Sequence, residues 1–479
     1  MNDGIVYFER QKKIYPRSVK GRYRRLKWLA MAVLLGVYYA VPWIRWDRGP
    51  LAPSQAVMID MPSRRAYFFN IELWPQEVYF FAGLMVLAAV ALFFVTSLLG
   101  RVWCGYACPQ TVWTDLFVAV ENWVQGDRNA RMKLDKSPLS FEKIWKKTLT
   151  HSLWIVIALC TGGAWVFYFV DAPTLFDQII HFDVSHMAGS WILGLTASTY
   201  IMAGYAREQV CTYMCPYARF QSAMFDKDTL IIGYDRERGE PRGKHKQGST
   251  WEGRGHCIDC TQCVIVCPMG IDIRNGLQMD CIACGLCVDA CNDVMDRKEL
   301  PRGLIRYDTQ NNYERRTVAQ KMNQPHVDKL SFWRPRTYYY ISTMSLIGAL
   351  MVFAFFTRSA VELSVIHDRN PLYVRLSNGD IRNTYTLKVS NKTHNDHSFR
   401  LDVTGVMPRD ISVAGAGSPD AQNLQVLADS VGTFRVMLSV DAAAVQHHVR
   451  LPVTLKIAGP DAKHSAAMET VFISPGGNR

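Results

Sequence analysis

The sequence has no cysteine after Cys291, although it contains thirteen in all. Disulfides form and persist in extracellular compartments, so a disulfide-stabilised exported domain would carry its own cysteines. The C-terminal region is therefore expected to fold without disulfides. The thiols that precede it are expected to be free for metal or redox chemistry.

Charge is absent from five long stretches, which contain no Lys, Arg, Asp or Glu. A helix needs about 20 apolar residues to cross the hydrocarbon core of a bilayer. Five such helices buried in a soluble protein would leave too little amphipathic sequence to cover them. Pro42 predicts a kink or tilt in the first stretch. The sequence therefore predicts a multi-pass α-helical membrane protein with five transmembrane helices, at about residues 28–44, 79–99, 152–170, 187–206 and 338–357.

The segments between these stretches alternate in basic residues. Nine Lys or Arg and no acid lie in residues 10–27, eight basic residues lie in residues 101–147, and residues 171–186 contain none. Cytoplasmic loops are enriched in Lys and Arg, so the N-terminal residues 10–27 and the loop at residues 101–147 are predicted on the cytoplasmic side. Much of the net charge of +12 thus comes from loops that set the orientation of the protein in the membrane. It is not read as evidence of nucleic-acid binding.

The topology predicts a division of the chain into five parts. They are a basic cytoplasmic tail at residues 1–27, a four-helix bundle at 28–225, a cytoplasmic loop at 226–336, the fifth helix at 338–357 and a periplasmic domain at 359–479.

Two runs of four cysteines lie in the predicted cytoplasmic loop, within a core at residues 250–300. Each has the spacing C-x2-C-x2-C-x3-C, followed by Pro268 in the first run and by Asn292 in the second. This is the pattern of bacterial two-cluster ferredoxins, in which the fourth cysteine of each run binds the other cluster. The predicted 4Fe–4S ligands are Cys257, Cys260, Cys263 and Cys291 for one cluster and Cys281, Cys284, Cys287 and Cys267 for the second.

Zinc is the alternative for these cysteines. Structural zinc sites favour paired C-x2-C units and four ligands per ion. Three cysteines in one turn plus a distant fourth, twice over, fit that pattern poorly. The spacing therefore favours two iron–sulfur clusters that transfer single electrons, in a ferredoxin-like insertion.

A different cysteine pattern occurs twice, each time at the predicted inner end of a membrane helix. Residues 103–109 read WCGYACP, and residues 210–216 read VCTYMCP. Each motif follows the second helix of a helix pair, which indicates an internal duplication. We predict that this duplication brings together the four candidate catalytic and metal-binding residues Cys104, Cys108, Cys211 and Cys215.

Two local geometries are open for each of these motifs. If the helix continues, the two thiols stack on one face at positions i and i+4. If the proline opens a new helix, the second cysteine is its N-cap, where the helix dipole favours thiolate. Either geometry suits a soft site for Cu(I) or a third iron–sulfur centre, with simple packing of small side chains as the alternative.

Three isolated residues are weaker candidates. Cys160 lies alone in an apolar helix and is expected to pack in the core. His181 and His186 flank Asp183 in the predicted outer loop, and side chains five residues apart in an unpaired loop are not expected to bind a metal.

After Arg358 the sequence changes character. Apolar and polar residues alternate over short segments, and Asn378-Gly379 is a strong hairpin-turn signal. About seven strands without a helical pattern predict an all-β immunoglobulin-like sandwich. The sandwich carries no catalytic cluster, so it is expected to bind or scaffold.

The combination of WCGYACP, VCTYMCP, the double cysteine run, five spans and a terminal sandwich resembles the CcoG/FixG/RdxA family of cytochrome oxidase accessory proteins. The resemblance covers essentially the whole chain. It implies a bacterial inner-membrane protein that assists assembly of a cbb-type cytochrome c oxidase by reducing Cu(II) to Cu(I). It further implies partners among oxidase-assembly and copper-delivery proteins, with the ferredoxin cysteines relaying electrons.

The two C-x3-C-P motifs also resemble those of NapH-like and NosR-like membrane subunits, which pass electrons from quinol to periplasmic partners. A quinol-oxidising conduit is therefore an alternative to a cupric reductase. A non-catalytic scaffold that senses redox state is a third. No residue pattern identifies the electron donor.

Overall fold

The computed structural model describes residues 13–49, 52–245, 251–322, 328–393, 395–414, 423–445, 448–459 and 464–475. Residues 1–12 of the predicted N-terminal tail, and residues 246–250 and 323–327 of the predicted cytoplasmic loop, lie outside this part. The chain divides into two compact units, Met1–Met351 and Val352–Arg479, and each has its own hydrophobic core.

The first half of the chain is mainly helical. Its α-helices, in chain order, are α1 (Arg22–Ala40), α2 (Tyr79–Leu99), α3 (Val102–Tyr106), α4 (Pro109–Gln125), α5 (Arg128–Lys136), α6 (Phe141–Val166), α7 (Ala172–Ile180), α8 (His186–Thr199) and α9 (Pro216–Met224).

Among the described residues, four helices are long and apolar enough to cross a membrane: Arg22–Trp43, Pro75–Leu99, Phe141–Val166 and Pro335–Phe356. The fourth predicted span, residues 187–206, is α8 followed directly by a π-helical segment, Tyr200–Ala206. It is thus a continuous helical stretch without being one regular α-helix. The count of five transmembrane helices stays a prediction.

The ends of two helices differ from the predicted spans for local reasons. Helix α6 begins at Phe141 because the Ser140 side chain accepts a hydrogen bond from the backbone N–H of Lys143 and caps it. Its first turns carry lysines and so lie outside the apolar stretch. Helix α1 ends at Ala40, and Pro42 lies in a short 3-10 turn, Val41–Trp43, so the proline marks the helix end rather than a kink within it.

A small antiparallel sheet lies between α1 and α2. It is formed by β1 (Val57–Asp60), β2 (Arg65–Phe68) and β3 (Ile71–Leu73), in the order β1-β2-β3. Gln55 joins it to the helices, because its buried amide donates to the carbonyl of Phe167 and accepts from the backbone N–H of Ala172. The sequence analysis did not predict this sheet.

One end of the helical region is held by a buried ion network around Glu121 of α4. Its carboxylate accepts hydrogen bonds from Arg131 at 2.8 Å and from Arg207 at 2.7 Å. All three side chains are almost completely buried. Breaking such a network by removing one partner costs about 3–5 kcal/mol, since a charge is left buried and unpaired.

The cysteine-rich region follows α9. Its elements are β4 (Leu230–Tyr234), α10 (Arg236–Gly239), α11 (Gln262–Ile265), α12 (Leu286–Arg297), β5 (Ile305–Thr309) and α13 (Gln310–Lys321). Strands β4 and β5 pair antiparallel and flank the predicted core at residues 250–300. After α13 the chain enters α14 (Pro335–Phe356).

The first turn of α1 fastens the cysteine-rich region to the helices. The Asp289 carboxylate of α12 accepts hydrogen bonds from the backbone N–H groups of Tyr23, at 3.3 Å, and Arg24, at 2.8 Å. An acid at a helix N-terminus satisfies its free N–H groups and the helix dipole. Asp289 therefore caps α1 from a different part of the fold.

The second unit is a two-sheet β-sandwich. Its elements are β6 (Val361–His367), β7 (Val374–Arg375), β8 (Ile381–Asn391), β9 (His397–Thr404), β10 (Asp410–Ala414), β11 (Asn423–Val426), β12 (Ser430–Val440), α15 (Ala442–Val445), β13 (Arg450–Ala458) and β14 (Ala466–Ile473). One sheet has the order β10-β12-β8-β6 with β7 beside β8, and the other has the order β11-β9-β13-β14.

The sandwich core follows the predicted alternation of apolar and polar residues. Leu387, Phe399 and Val436 are fully buried between the sheets, and burying each contributes about 1.5–3 kcal/mol. The predicted turn at Asn378-Gly379 is confirmed, since Gly379 has a φ of 92° and joins β7 to β8. The described residues of this unit form nine strands rather than about seven.

Candidate functional site

The first predicted cluster site lies between a loop and α12. A cavity of about 360 Å³ is lined by Cys257, Cys260, Cys263 and Cys291. Burial raises the pKa of the Cys291 thiol to about 12, and Cys263, Cys260 and Cys257 act on it in the same direction. The fourth cysteine of the second run thus lies among the first three of the first run, as the ferredoxin pattern predicts.

The second set consists of the first three cysteines of the second run and the fourth cysteine of the first run. Burial raises the pKa of Cys281 to about 12 and that of Cys287 well above its usual value. The thiols of Cys284 and Cys267 raise both pKa values as well. Such coupling requires neighbouring sulfurs, so Cys267 of the first run lies with the first three cysteines of the second.

The two cysteine loops share a backbone conformation. Asp259 and Thr261 have φ values of 55° and 54°, and the equivalent residues of the second loop, Ala283 and Gly285, have 51° and 76°. Alternation with left-handed residues turns successive backbone N–H groups inward, and such concavities are typical of iron–sulfur sites. The repeat of these four angles shows that both loops are wound in the same way.

The donor sets fit iron–sulfur clusters. All eight cysteines are free thiols. Among the described residues, no three His, Cys, Asp or Glu side chains lie close enough together to hold a single metal ion. A tetrahedral zinc with Zn–S bonds of about 2.3 Å would need its sulfurs about 4 Å apart. Thiols held farther apart suit a polynuclear cluster, whose own iron and sulfide atoms separate the ligands.

Both C-x3-C-P motifs adopt the second of the two predicted geometries. Cys108 is the N-cap of α4 and Cys215 is the N-cap of α9, each followed by proline at the first helical position. The preceding cysteines lie in different turns: Cys104 is in α3, and Cys211 is in a second π-helical segment, Val210–Met214. The two motifs therefore share the same helix-cap geometry at the second cysteine, but they differ in the turn that carries the first cysteine.

The four thiols of the two motifs are neighbours. Burial raises the pKa of Cys104 to about 11 and that of Cys211 to about 12, and Cys108 and Cys215 act in the same direction on both. The buried Gln221 side chain of α9 donates a hydrogen bond to the sulfur of Cys104 at 3.3 Å. Helices from both halves of the duplication thus meet at one thiol cluster.

This thiol cluster lies against the loop of the second cluster site. The sulfur-bearing side chain of Cys104 packs on an apolar cluster that includes Ile282, Cys284 and Leu286. A Cβ at Gly105 would lie 2.7 Å from the carbonyl oxygen of Ile282, so only glycine allows this approach. The two groups of cysteines therefore share one packed interface.

Arg101 is a functional candidate that the sequence analysis missed. It is buried and lies just before α3. Its charge lowers the pKa of Cys104, Cys211 and Cys281, against the larger effect of burial on each. A single guanidinium thus acts on thiols of both cysteine groups, and its place directly after an apolar helix was the available signal.

The isolated candidates stay apart from these groups. Cys160 is exposed on the surface of α6 rather than packed in the protein core as predicted, because its face of the apolar helix contacts no other part of the described structure. At the C-terminal end of α7, the Nδ1–H of His181 donates a hydrogen bond to the backbone carbonyl of Asp177 at 2.9 Å.

A helical region with apolar spans and two four-cysteine sets defines an iron–sulfur electron-transfer protein of the membrane. Comparison with protein families agrees with this class. The family "4Fe-4S binding domain" matches residues 81–129, "4Fe-4S dicluster domain" matches residues 206–310, and "IG-like fold at C-terminal of FixG" matches residues 351–475.

Known proteins identify the family. "Nitrogen fixation protein FixG" of Rhizobium meliloti is 46% identical over 441 residues, covering 88% of this chain and 84% of its own. "Protein RdxA" of Cereibacter sphaeroides is 45% identical, covering 96% and 97%. The chain belongs to the FixG/RdxA family.

More distant similarities cover parts of the chain. "Ferredoxin-type protein NapH" of Haemophilus influenzae is 22% identical over 43% of this chain and 64% of its own. A crystal structure of a FixG-related protein from Vibrio parahaemolyticus is 28% identical over 25% of this chain and 99% of its own, with a TM-score of 0.21.

Proposed function

We propose that this protein carries electrons through two 4Fe–4S clusters to the four-thiol cluster of the C-x3-C-P motifs, where Cu(II) is reduced to Cu(I). The protein would thereby assist assembly of a cbb-type cytochrome c oxidase. It would act in the bacterial inner membrane, with five transmembrane helices, cysteines in the cytoplasm and the sandwich in the periplasm.

The proposed ligands are the two sets that the fold brings together. Cys257, Cys260, Cys263 and Cys291 would hold one cluster, and Cys281, Cys284, Cys287 and Cys267 would hold the other. When bound, such clusters supply one-electron storage at potentials tuned by charge, hydrogen bonds and burial. The protein limits the access of water to the ligands, because two cysteines of each run are buried and the other two are half-buried.

The observation that carries the proposal is the contact between Cys104 and the Cys284 loop. Electrons need no moving carrier between two sites that pack on each other. At the four-thiol cluster, copper is the substrate: Cu(II) accepts one electron and becomes Cu(I). No three described thiols lie close enough together to hold one ion, so two of the four would bind copper. Thiolates are soft ligands that prefer Cu(I), and such binding would favour the reduced product.

The test uses the full-length protein, reduced under anaerobic conditions and freed of reductant. We expect it to reduce chelated Cu(II), with Cu(I) measured by a Cu(I)-specific chelator. A Cys104→Ser/Cys215→Ser variant that retains both clusters, measured by iron content and EPR, should lose at least tenfold in rate. Cys160→Ser is the matched control and should keep the wild-type rate.

Other results would overturn the proposal in distinct ways. Full copper reduction by the double variant would remove the four-thiol cluster from the reaction. A wild-type protein with both clusters and no copper reduction would favour the scaffold alternative. A protein that contains no iron when isolated without oxygen would contradict the electron-transfer function itself.

A further inference from the structure

A polar cavity lies at the end of the helical region beside the buried ion network. It measures about 870 Å³ out to its mouth and is lined by residues of α4, α6 and the first π-helical segment. Among them are Glu121, Thr150, His151, Trp154 and Tyr205. π-helical turns inside helices are often found at functional sites, and here Tyr200–Ala206 supplies one wall.

His151 lines this cavity and belongs to the candidate membrane span Phe141–Val166, as does Lys147. It lies one helical turn beyond Lys147, at the beginning of the apolar stretch of α6. Its Nδ1 shares a hydrogen bond of 3.0 Å with the hydroxyl of Tyr200, which lies 3.4 Å from that of Tyr205. Within the described residues Nε2 has no hydrogen-bond partner. Ionisable side chains within candidate membrane spans usually mark functional sites.

Aromatic rings form the walls around His151. The rings of His151 and Tyr205 are stacked with centroids 6.1 Å apart, and Trp154 meets His151 edge-on at 5.1 Å. The Tyr205 side chain is 60% exposed, so this wall reaches the outer surface of the helices. A flat ring entering from the lipid side would find aromatic faces and a hydrogen-bonding edge together.

The cations of the cavity already have acidic partners, which disfavours an anionic ligand. Lys13 and Lys147 both pair with Asp135, and Arg207 pairs with Glu121. A phosphate group would have to compete with these carboxylates. The cavity therefore suits an uncharged ligand that makes hydrogen bonds, such as a quinone head group.

We propose that this cavity binds a membrane hydroquinone, which is the electron donor of the protein. The inference rests on the proposed electron-transfer function and supplies its missing donor. Oxidation of the hydroquinone to the quinone releases two electrons and two protons. One electron goes to each of the two iron–sulfur clusters. His151 accepts one proton at Nε2, and the second leaves through the mouth of the cavity at Lys13 to water.

The cavity adjoins the thiol cluster. Arg207 and Glu208 line it, and they also line a second cavity whose wall includes Cys211. The proposed donor site thus borders the cavity that Cys211 lines. Electrons released beside His151 would enter the protein close to its cysteines.

Quinone binding can be tested on the purified full-length protein in detergent, with its clusters loaded. The probe is a short-tailed azidobenzoquinone, cross-linked by light, with labelled peptides mapped by mass spectrometry. We expect labelling in residues 141–166 and 200–206, displaced by unmodified decylbenzoquinone and not by phosphatidylethanolamine. His151→Phe keeps a ring but loses the hydrogen bonds, and it should weaken quinone competition at least tenfold.

The matched control is His181→Phe, the same change at a histidine whose side chain is 68% exposed. It should label like the wild type. Should His151→Phe lose its iron, Tyr205→Phe provides the same comparison. Labelling that only phospholipid displaces, or that neither variant weakens, would overturn the donor site. Loss of the donor site with iron and EPR signals intact leaves the proposed electron transfer standing, whereas an iron-free wild-type protein would refute both.

Discussion

The hydroxyl of Tyr106 donates a hydrogen bond of 3.0 Å to the backbone carbonyl of Cys284. Tyr106 is in the first C-x3-C-P motif and Cys284 is in the second ferredoxin run, so a single bond joins the two cysteine patterns. The tyrosine is buried, and an unpaired hydroxyl there would cost about 1–3 kcal/mol. This contact fixes the distance between the two groups of thiols.

Gly105→Ala should weaken this interface. The new methyl group would meet the backbone carbonyls of Ile282 and Ala283, which cannot move aside as side chains can. We expect a loss of about 1–3 kcal/mol in stability and faster proteolysis of the cysteine-rich region. Thermal unfolding and limited proteolysis measure both. Gly36→Ala is the control, because nothing lies within 4 Å of its added carbon, and an equal loss in that variant would contradict the interpretation.

Pairs of cysteine substitutions should reveal which thiols share a cluster. Cys257→Ser with Cys291→Ser removes two ligands of one proposed cluster and should leave about half of the iron. Cys257→Ser with Cys267→Ser removes one ligand from each and should leave much less. Iron analysis with EPR of the reduced proteins decides. Equal iron in the two double variants would disprove the crossed assignment.

Arg101→Gln should lower the reduction potential of the proposed cluster nearest to it. The guanidinium favours negative charge on Cys281, so its removal makes an added electron less favourable. A loss of about 1 kcal/mol corresponds to on the order of 45 mV for one electron. Redox titration followed by EPR measures the change. Arg297→Gln changes an exposed arginine of α12 and should leave the reduction potentials of both proposed clusters unchanged.

Glu121→Gln should lower the stability of the protein at neutral pH. It should also make that stability less dependent on pH in the acidic range. Burial opposes ionisation of Glu121, but Arg207 and Arg131 outweigh it and lower the pKa of the carboxyl. A carboxyl whose pKa is lower in the folded state than in the unfolded state stabilises the folded protein at pH values above the unfolded pKa of about 4.3. This contribution is lost as the pH falls from there through the folded-state pKa. The variant should be about 3 kcal/mol less stable at pH 7.

Thermal unfolding of wild type and variant, from pH 7 to well below pH 4, tests this expectation. The difference between them should narrow as the pH falls below about 4.3. Glu142→Gln removes an exposed carboxylate of α6 and should leave the unfolding temperature unchanged at every pH. A constant difference between wild type and Glu121→Gln would show that the network is not coupled to ionisation.

Local patterns predicted the parts of the fold that depend on local physics. The apolar stretches became helices α1, α2, α6 and α14, and alternation in the C-terminal region became a sandwich. The small sheet between α1 and α2 was missed, because strands of three or four residues show no period. The exposure of Cys160 was also missed, since an apolar helix does not reveal which face has neighbours.

The spacing of the cysteines alone determined the ferredoxin pattern, because a turn of fixed geometry can present only three thiolates to one cluster. Sequence also indicated that proline could make Cys108 and Cys215 helix caps. It could not choose between that geometry and a continuous helix. Only the tertiary structure decided that choice, and it alone placed Cys104, Arg101 and Gly105 against the Cys284 loop. Contacts between segments nearly two hundred residues apart depend on how whole helices pack, and no local pattern encodes them.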